Sequence, residues 1–69
     1  MLMPISRLTE ITSTSTKSFE DAIEMGISRA LRTLQNVEGV RIQEQKVLVE
    51  NDRISGYRVN MLVTFNIDN

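Results

Sequence analysis

The 69-residue chain contains no cysteine, no histidine and no tryptophan. Without cysteine it cannot form a disulfide, and without cysteine and histidine it lacks the usual zinc ligands. The same absence excludes a Ser-His-Asp triad, a Cys-His pair and the commonest general base in proteins. No carboxylate, lysine, tyrosine or serine is arranged convincingly to replace them. The sequence therefore predicts a protein that is not an enzyme.

Aromatic residues and excess positive charge are also scarce. The chain has two phenylalanines, one tyrosine and a formal net charge of −1. Nonspecific binding to nucleic acid depends mainly on lysines and arginines that neutralise phosphates, and single strands also stack on aromatic rings. The composition therefore argues against a nucleic-acid partner.

Long apolar runs are absent from the sequence. Met1 to Pro4 is followed within a few residues by Ser6, Arg7 and Glu10, so there is neither a signal-peptide core nor a span of about 20 apolar residues. We expect one domain over residues 1–69, located in the cytoplasm, with no membrane partner. A domain this small buries only about 60% of the surface of its unfolded chain. Because disulfides and zinc are excluded, association with further copies of itself is the expected source of additional stability.

The first part of the chain predicts a strand, a loop and a helix. Apolar residues among polar ones indicate a strand over Met3–Ile11, and the hydroxyl-rich stretch Thr12–Lys17 is typical of a loop. Ser18 is a candidate N-cap, and Asp21 lies where a carboxylate can reach back to it. Apolar residues at three- and four-residue intervals then predict one buried face of a helix: Phe19, Ala22, Ile23, Gly26, Ile27, Ala30, Leu34 and Val37.

Glycines mark two positions on this predicted helix. Gly26 lowers helix propensity but permits another element to approach closely. Gly39 follows the last apolar residue, where a left-handed residue commonly ends a helix. We therefore expect the helix to run from Phe19 to about Val37.

The second half of the chain predicts a β-hairpin. Val40–Val49 alternates, but the apolar parity changes between Val40/Ile42 and Val47/Val49, which indicates either a bulge or burial of both faces. Residues 50–53 form a turn signal that leads into residues 54–57, and the apolar residues then alternate from Tyr57 to Ile67. The resulting fold class is α+β, with the order β-α-β-β and a three-stranded antiparallel sheet around one amphipathic helix. Glu50, Asn51 and Asp52 could also offer oxygens to a hard cation, but a plain hairpin turn is favoured.

The ordered set of motifs resembles the dodecin family. The resemblance runs from the first strand to Phe65 and rests on these segments: Glu10–Ser15, Ser18–Ala22, Arg29–Leu34, Glu44–Gln45, Gly56–Val59 and Val63–Phe65. It implies a β-α-β-β subunit that assembles into a hollow homo-oligomeric shell, usually a dodecamer. It also implies a small-molecule binding protein, since many dodecins bind flavins in pairs between subunits.

Two departures from the family pattern concern flavin binding. Gly39 occupies the position of the tryptophan that stacks on the isoalloxazine ring in flavin-binding dodecins, and Arg58 occupies that of a glutamine that hydrogen-bonds the ring edge. The resemblance therefore predicts a dodecin-like protein that binds or sequesters a small molecule, with flavin binding weakened or lost. A purely structural shell without a ligand is the alternative.

Several charged residues are candidates for another ligand. Arg58 with Glu44 and Gln45 could bind an anionic or phosphorylated molecule, or Arg58 could simply pair with Glu44 across the hairpin or a subunit boundary. Parity places Arg58 on the sheet face opposite to the apolar stripe of the last strand. The resemblance also implies that Arg29 and Arg32 match basic helix positions near which coenzyme A can bind. Solvated helix charges are the simpler interpretation of those two arginines.

Overall fold

The computed structural model describes residues 5–67 and contains four elements in the order strand, helix, strand, strand. They are β1 (Ser6–Ser15), α1 (Phe19–Thr33), β2 (Val37–Glu50) and β3 (Arg53–Asn66). The sheet is antiparallel with the order β1-β3-β2. This confirms the predicted β-α-β-β arrangement and places the long last strand at the centre of the sheet.

The first strand is longer than predicted at its carboxyl end. Thr12–Ser15 was expected to be a loop, but these residues continue β1 and pair with residues 57–60 of β3. The loop prediction was wrong because the threonine hydroxyls bond across the sheet rather than to their own backbone: Thr12 Oγ1 accepts from Asn60, and Thr14 Oγ1 from Arg58. The predicted start of the strand at Met3 lies outside the described residues.

The helix begins where the sequence predicts. Ser18 is the N-cap, and its hydroxyl accepts a hydrogen bond from the backbone N–H of Asp21 at 3.0 Å. The Asp21 side chain, however, bonds to Ser15 rather than reaching back to the cap.

The helix ends four residues earlier than predicted. Leu34 already has extended backbone angles, and its N–H bonds to the carbonyl of Ala30. The left-handed residue is Asn36, with φ 59°, rather than Gly39, which lies within β2 without a positive φ. Asn36 is also tied to the end of the sheet, because its carbonyl accepts from the N–H of Asn66 at 2.9 Å. Val37 then pairs with β3, so it cannot belong to the helix.

The sheet has one face against the helix, here called the helix face, and one face away from it, here called the open face. The helix contributes Ala22, Gly26 and Ala30 as its buried residues, and β3 contributes Val59, Met61 and Val63. Alternate residues of β3, including Arg58, lie on the open face. The predicted parity of Arg58 is therefore confirmed.

Gly26 permits close packing of the helix against the sheet. A Cβ atom at this position would collide with the methyl group of Met61 and lie 3.3 Å from the Cβ of Ser13. The predicted packing role of this glycine is confirmed.

A bulge in β2 explains the change of apolar parity. The register shifts between Ile42 and Glu44, so Gln43 is the extra residue. Ile42 pairs with Met61 and Val47 with Tyr57, both on the helix face. Of the two explanations that the sequence left open, the structure therefore supports the bulge. Beyond Ser15 of β1, β2 and β3 continue as a two-stranded hairpin that ends in the predicted turn.

Candidate functional site

The antiparallel register arranges the open face in rows that cross all three strands. One row consists of Thr14, Arg58 and Lys46, and the next consists of Thr12, Asn60 and Glu44. Side chains directly opposite each other in such rows lie close enough to interact. The open face therefore presents a continuous polar surface near the middle of the sheet.

Arg58 lies at the centre of its row and is exposed to solvent. Its Nε donates a hydrogen bond to Thr14 Oγ1 at 3.2 Å. Its partner across the hairpin is Lys46, whereas Glu44 pairs with Asn60 one row away. Within one chain, Arg58 thus faces a second cation, and its polar contact is with Thr14 rather than with Glu44.

The bulged residue Gln43 joins the three strands on the open face. Its side-chain amide donates to Asn60 Oδ1 and, at 3.3 Å, to Glu10 Oε2. Asn60 in turn donates to Thr12 Oγ1 at 3.0 Å. Sequence reasoning missed Gln43, Asn60 and Thr12, because the bulge that brings them together was located only to within several residues. The apolar parity change was the one signal that pointed to this region.

The other predicted site residues on the sheet lie apart from Arg58. Gly39 pairs with Thr64, six residues along β3 from Arg58, which corresponds to about 20 Å of extended strand. Gln45 pairs with Val59 and so lies on the helix face. A single chain therefore does not bring Gly39, Gln45 and Arg58 into one pocket.

Arg29 and Arg32 lie on the exposed surface of the helix. Arg29 contributes to a groove of about 360 Å³ between α1 and β1, which is also lined by Thr12, Ser13 and Thr14. Together with Arg32 it contributes to a second, shallow groove along the helix, where Asp21 and Glu24 supply negative charge. The structure thus brings Arg29 and Arg32 together on the exposed surface of the helix.

The hairpin turn has the geometry of a tight connection. Asn51 and Asp52 have φ values of 53° and 61°, the left-handed conformation that two-residue turns of type I′ require. Within residues 5–67, no three acidic or histidine side chains are close enough together to hold a metal ion. No helix in this part of the chain has the length and apolarity to cross a membrane.

Comparison with known proteins identifies the family. The model of the Dodecin family matches residues 5–68, almost the whole chain. The chain belongs to the dodecin family. A sequence search against curated proteins finds no match.

Solved dodecin structures have the same fold as this chain. The dodecin from Streptomyces davaonensis is 32% identical, with a TM-score of 0.88 over 96% of this chain and 97% of the other. The dodecin from Streptomyces coelicolor is 20% identical and superimposes with a TM-score of 0.90 over 100% and 99% of the two chains. A calcium dodecin from Mycobacterium tuberculosis, described as having a novel calcium-binding site, is 25% identical, with a TM-score of 0.82 over 91% and 90%.

Proposed function

We propose that this dodecin is a homo-oligomeric protein that binds or sequesters a small molecule, and that it catalyses no reaction. The proposal rests on one observation: within one chain, the predicted site residues are separated from each other. Gly39, Gln45 and Arg58 lie at different places and on different faces of one sheet. Since no single chain assembles them, the ligand would bind where several chains meet.

Exposed apolar side chains on β2 and β3 support self-association. The helix covers β1 and β3, and among β2 residues Val40 is the one that packs against the core. Ile42 and Val47 on the helix face remain about two-fifths exposed, and Val49 and Ile54 at the hairpin end remain at least 60% exposed. Apolar surface of this kind marks protein interfaces in soluble proteins. A shell of identical subunits would cover it and would stabilise a chain with a small core.

Flavin would be a poor ligand for this shell. Gly39 has no side chain, and apart from its chain neighbours no atom of the described residues lies within 4 Å of the place where its Cβ would be. Base stacking on an aromatic ring contributes about 1–3 kcal/mol, so the missing tryptophan would weaken binding of a comparable flat ligand about ten- to a hundredfold. Arg58 replaces the expected amide with a permanent cation. Coenzyme A, bound near Arg29 and Arg32, is the second candidate ligand.

The proposal is tested by the small molecules that the purified protein retains. The oligomer would be isolated by gel filtration, denatured, and the released compounds identified by mass spectrometry against a parallel sample from cells without the protein. We expect at least one enriched small molecule and less than stoichiometric flavin. An oligomer that releases nothing would contradict the binding function and support a purely structural shell. A stoichiometric flavin would contradict the interpretation of Gly39 and Arg58.

A further inference from the structure

We infer that Arg58, Lys46 and Thr14 form a binding site for the phosphate group of a small molecule on the open face of the sheet. This inference rests on the proposed function, since it names the chemical class of the bound molecule. It starts from the register of the hairpin, which puts Lys46 directly opposite Arg58. Lys46 and Thr14 enter the site only through this register.

Two cations in one cross-strand pair are unfavourable without a counter-charge. Like charges directly opposite each other destabilise a sheet, whereas opposite charges at the same positions stabilise it. Both side chains are exposed, and Glu44, the acidic residue of the neighbouring row, lies opposite Asn60 instead. Within residues 5–67, no ion pair joins Arg58 or Lys46 to a carboxylate. A bound anion would supply the missing negative charge.

The third member of the row favours an anion with several acceptor oxygens. Thr14 Oγ1 accepts the hydrogen bond from Arg58 Nε, so its own proton is free to be donated. The remaining guanidinium N–H groups and the ammonium group of Lys46 have no partner within the described chain. A hydroxyl, a guanidinium and an ammonium in one row thus offer donors of three kinds. A terminal phosphate, with three acceptor oxygens and up to two negative charges, matches them in number and in charge.

The contact to Thr14 also fixes the orientation of the guanidinium. It holds Nε toward β1 and leaves the other N–H groups of the guanidinium for another acceptor. A planar guanidinium held in this way can present its outer N–H groups to a phosphate in bidentate fashion. Lysine at position 58 would lack this geometry even though its charge is the same.

Titration with inorganic phosphate tests this inference. Binding would be followed by phosphorus NMR at constant ionic strength, with chloride as the balancing anion. We expect saturable binding by the native oligomer and a Kd raised about fivefold or more by either Arg58→Gln or Lys46→Gln, the effect of removing about 1 kcal/mol. Arg41→Gln is the matched control. Arg41 is an exposed cation of β2 on the same face, opposite Leu62 rather than another cation, and its loss should change the Kd less than twofold.

A comparison of two sugars provides a second readout. Ribose 5-phosphate and ribose differ by one phosphate group, so the ratio of their affinities measures the contribution of the phosphate. We expect ribose 5-phosphate to bind more tightly than ribose to the native protein, and Arg58→Gln to remove most of that preference. Absence of saturable phosphate binding, or an equal loss in Arg41→Gln, would overturn the inference. An oligomer that retains an uncharged small molecule but does not bind phosphate would overturn this inference and leave the proposed function intact. A protein that is monomeric would overturn the proposed function itself.

Discussion

Ser15 Oγ donates a hydrogen bond to a carboxylate oxygen of Asp21 at 2.6 Å and accepts one from the backbone N–H of Lys17 at 2.9 Å. Ser15 is the last residue of β1 and is 5% exposed, and Asp21 lies in the first turn of α1. One hydroxyl thus connects the end of the strand to the beginning of the helix. The geometry of this junction fixes how the helix approaches the sheet.

Ser15→Ala should therefore destabilise the protein. The substitution removes the part-buried hydrogen bonds to the Lys17 N–H and the Asp21 carboxylate, and each such bond contributes about 0.5–1.5 kcal/mol, so we expect a loss of about 1–3 kcal/mol. Chemical denaturation at a fixed protein concentration would measure the loss. Thr16→Ala is the control. Thr16 is the next residue in the chain and its hydroxyl group is exposed, so the substitution should lower the free energy of unfolding by less than about 0.5 kcal/mol. Equal effects of the two substitutions would show that the junction is not stabilised by Ser15.

The same junction shows what the sequence alone could and could not predict. Ser18 was identified as the cap because capping depends on residues adjacent in the chain, and the alternation of β3 was clear because one of its faces is buried. The partner of Asp21 could not be predicted, since it depends on how far β1 continues. Apolar patterning carries no information about a strand whose hydroxyl groups bond across the sheet.

The end of the helix and the register of β2 illustrate the same limit. Leu34 and Val37 fit a helical repeat, yet Asn36 reverses the chain and Val37 joins the sheet. The parity change in β2 predicted a bulge but not its position at Gln43. The position of the bulge determines which residue of β2 lies opposite Arg58. The pairing of Arg58 with Lys46 could therefore not be predicted from the sequence.

Gly26 provides a test of the packing between helix and sheet. Gly26→Leu should lower the free energy of unfolding by about 1–3 kcal/mol, because the larger side chain must displace Met61 from the core. Gly39→Leu is the matched control, since in residues 5–67 only its chain neighbours can lie within 4 Å of its Cβ position and its φ is not positive. A smaller loss for Gly26→Leu than for Gly39→Leu, measured by denaturation, would be inconsistent with this packing.

Gly39→Trp should strengthen flavin binding. The backbone at this position is extended, so a side chain can be accommodated without strain, and an indole would restore a stacking surface. We expect the affinity for riboflavin, measured by fluorescence quenching, to rise about ten- to a hundredfold. Gly39→Ala should leave it unchanged. Sub-micromolar binding of riboflavin by the native protein would contradict the view that the missing tryptophan weakens the site.

Glu44→Gln should increase the affinity for phosphate. Glu44 lies one row from Arg58 and Lys46 on the open face, at the diagonal cross-strand spacing of about 7–8 Å from Arg58. At that distance a unit charge in water contributes about 0.5 kcal/mol of repulsion to a bound anion, which corresponds to roughly a twofold change in Kd. The phosphate titration at low salt would measure it. If Glu44 of another subunit pairs with Arg58 instead, a double-mutant cycle of Glu44→Ala with Arg58→Ala on oligomer stability would show coupling, and phosphate would bind poorly until Glu44 is removed.

Native mass spectrometry tests the central claim most directly, because it reports the number of subunits and any retained ligand in one spectrum. The account predicts a closed homo-oligomer, with a mass of about 95 kDa if it is a dodecamer of 7.9 kDa chains, and additional mass from a bound small molecule. Neighbouring chains would cover the exposed apolar residues of β2 and bring the dispersed site residues together. A monodisperse, folded monomer at micromolar concentration would contradict the account.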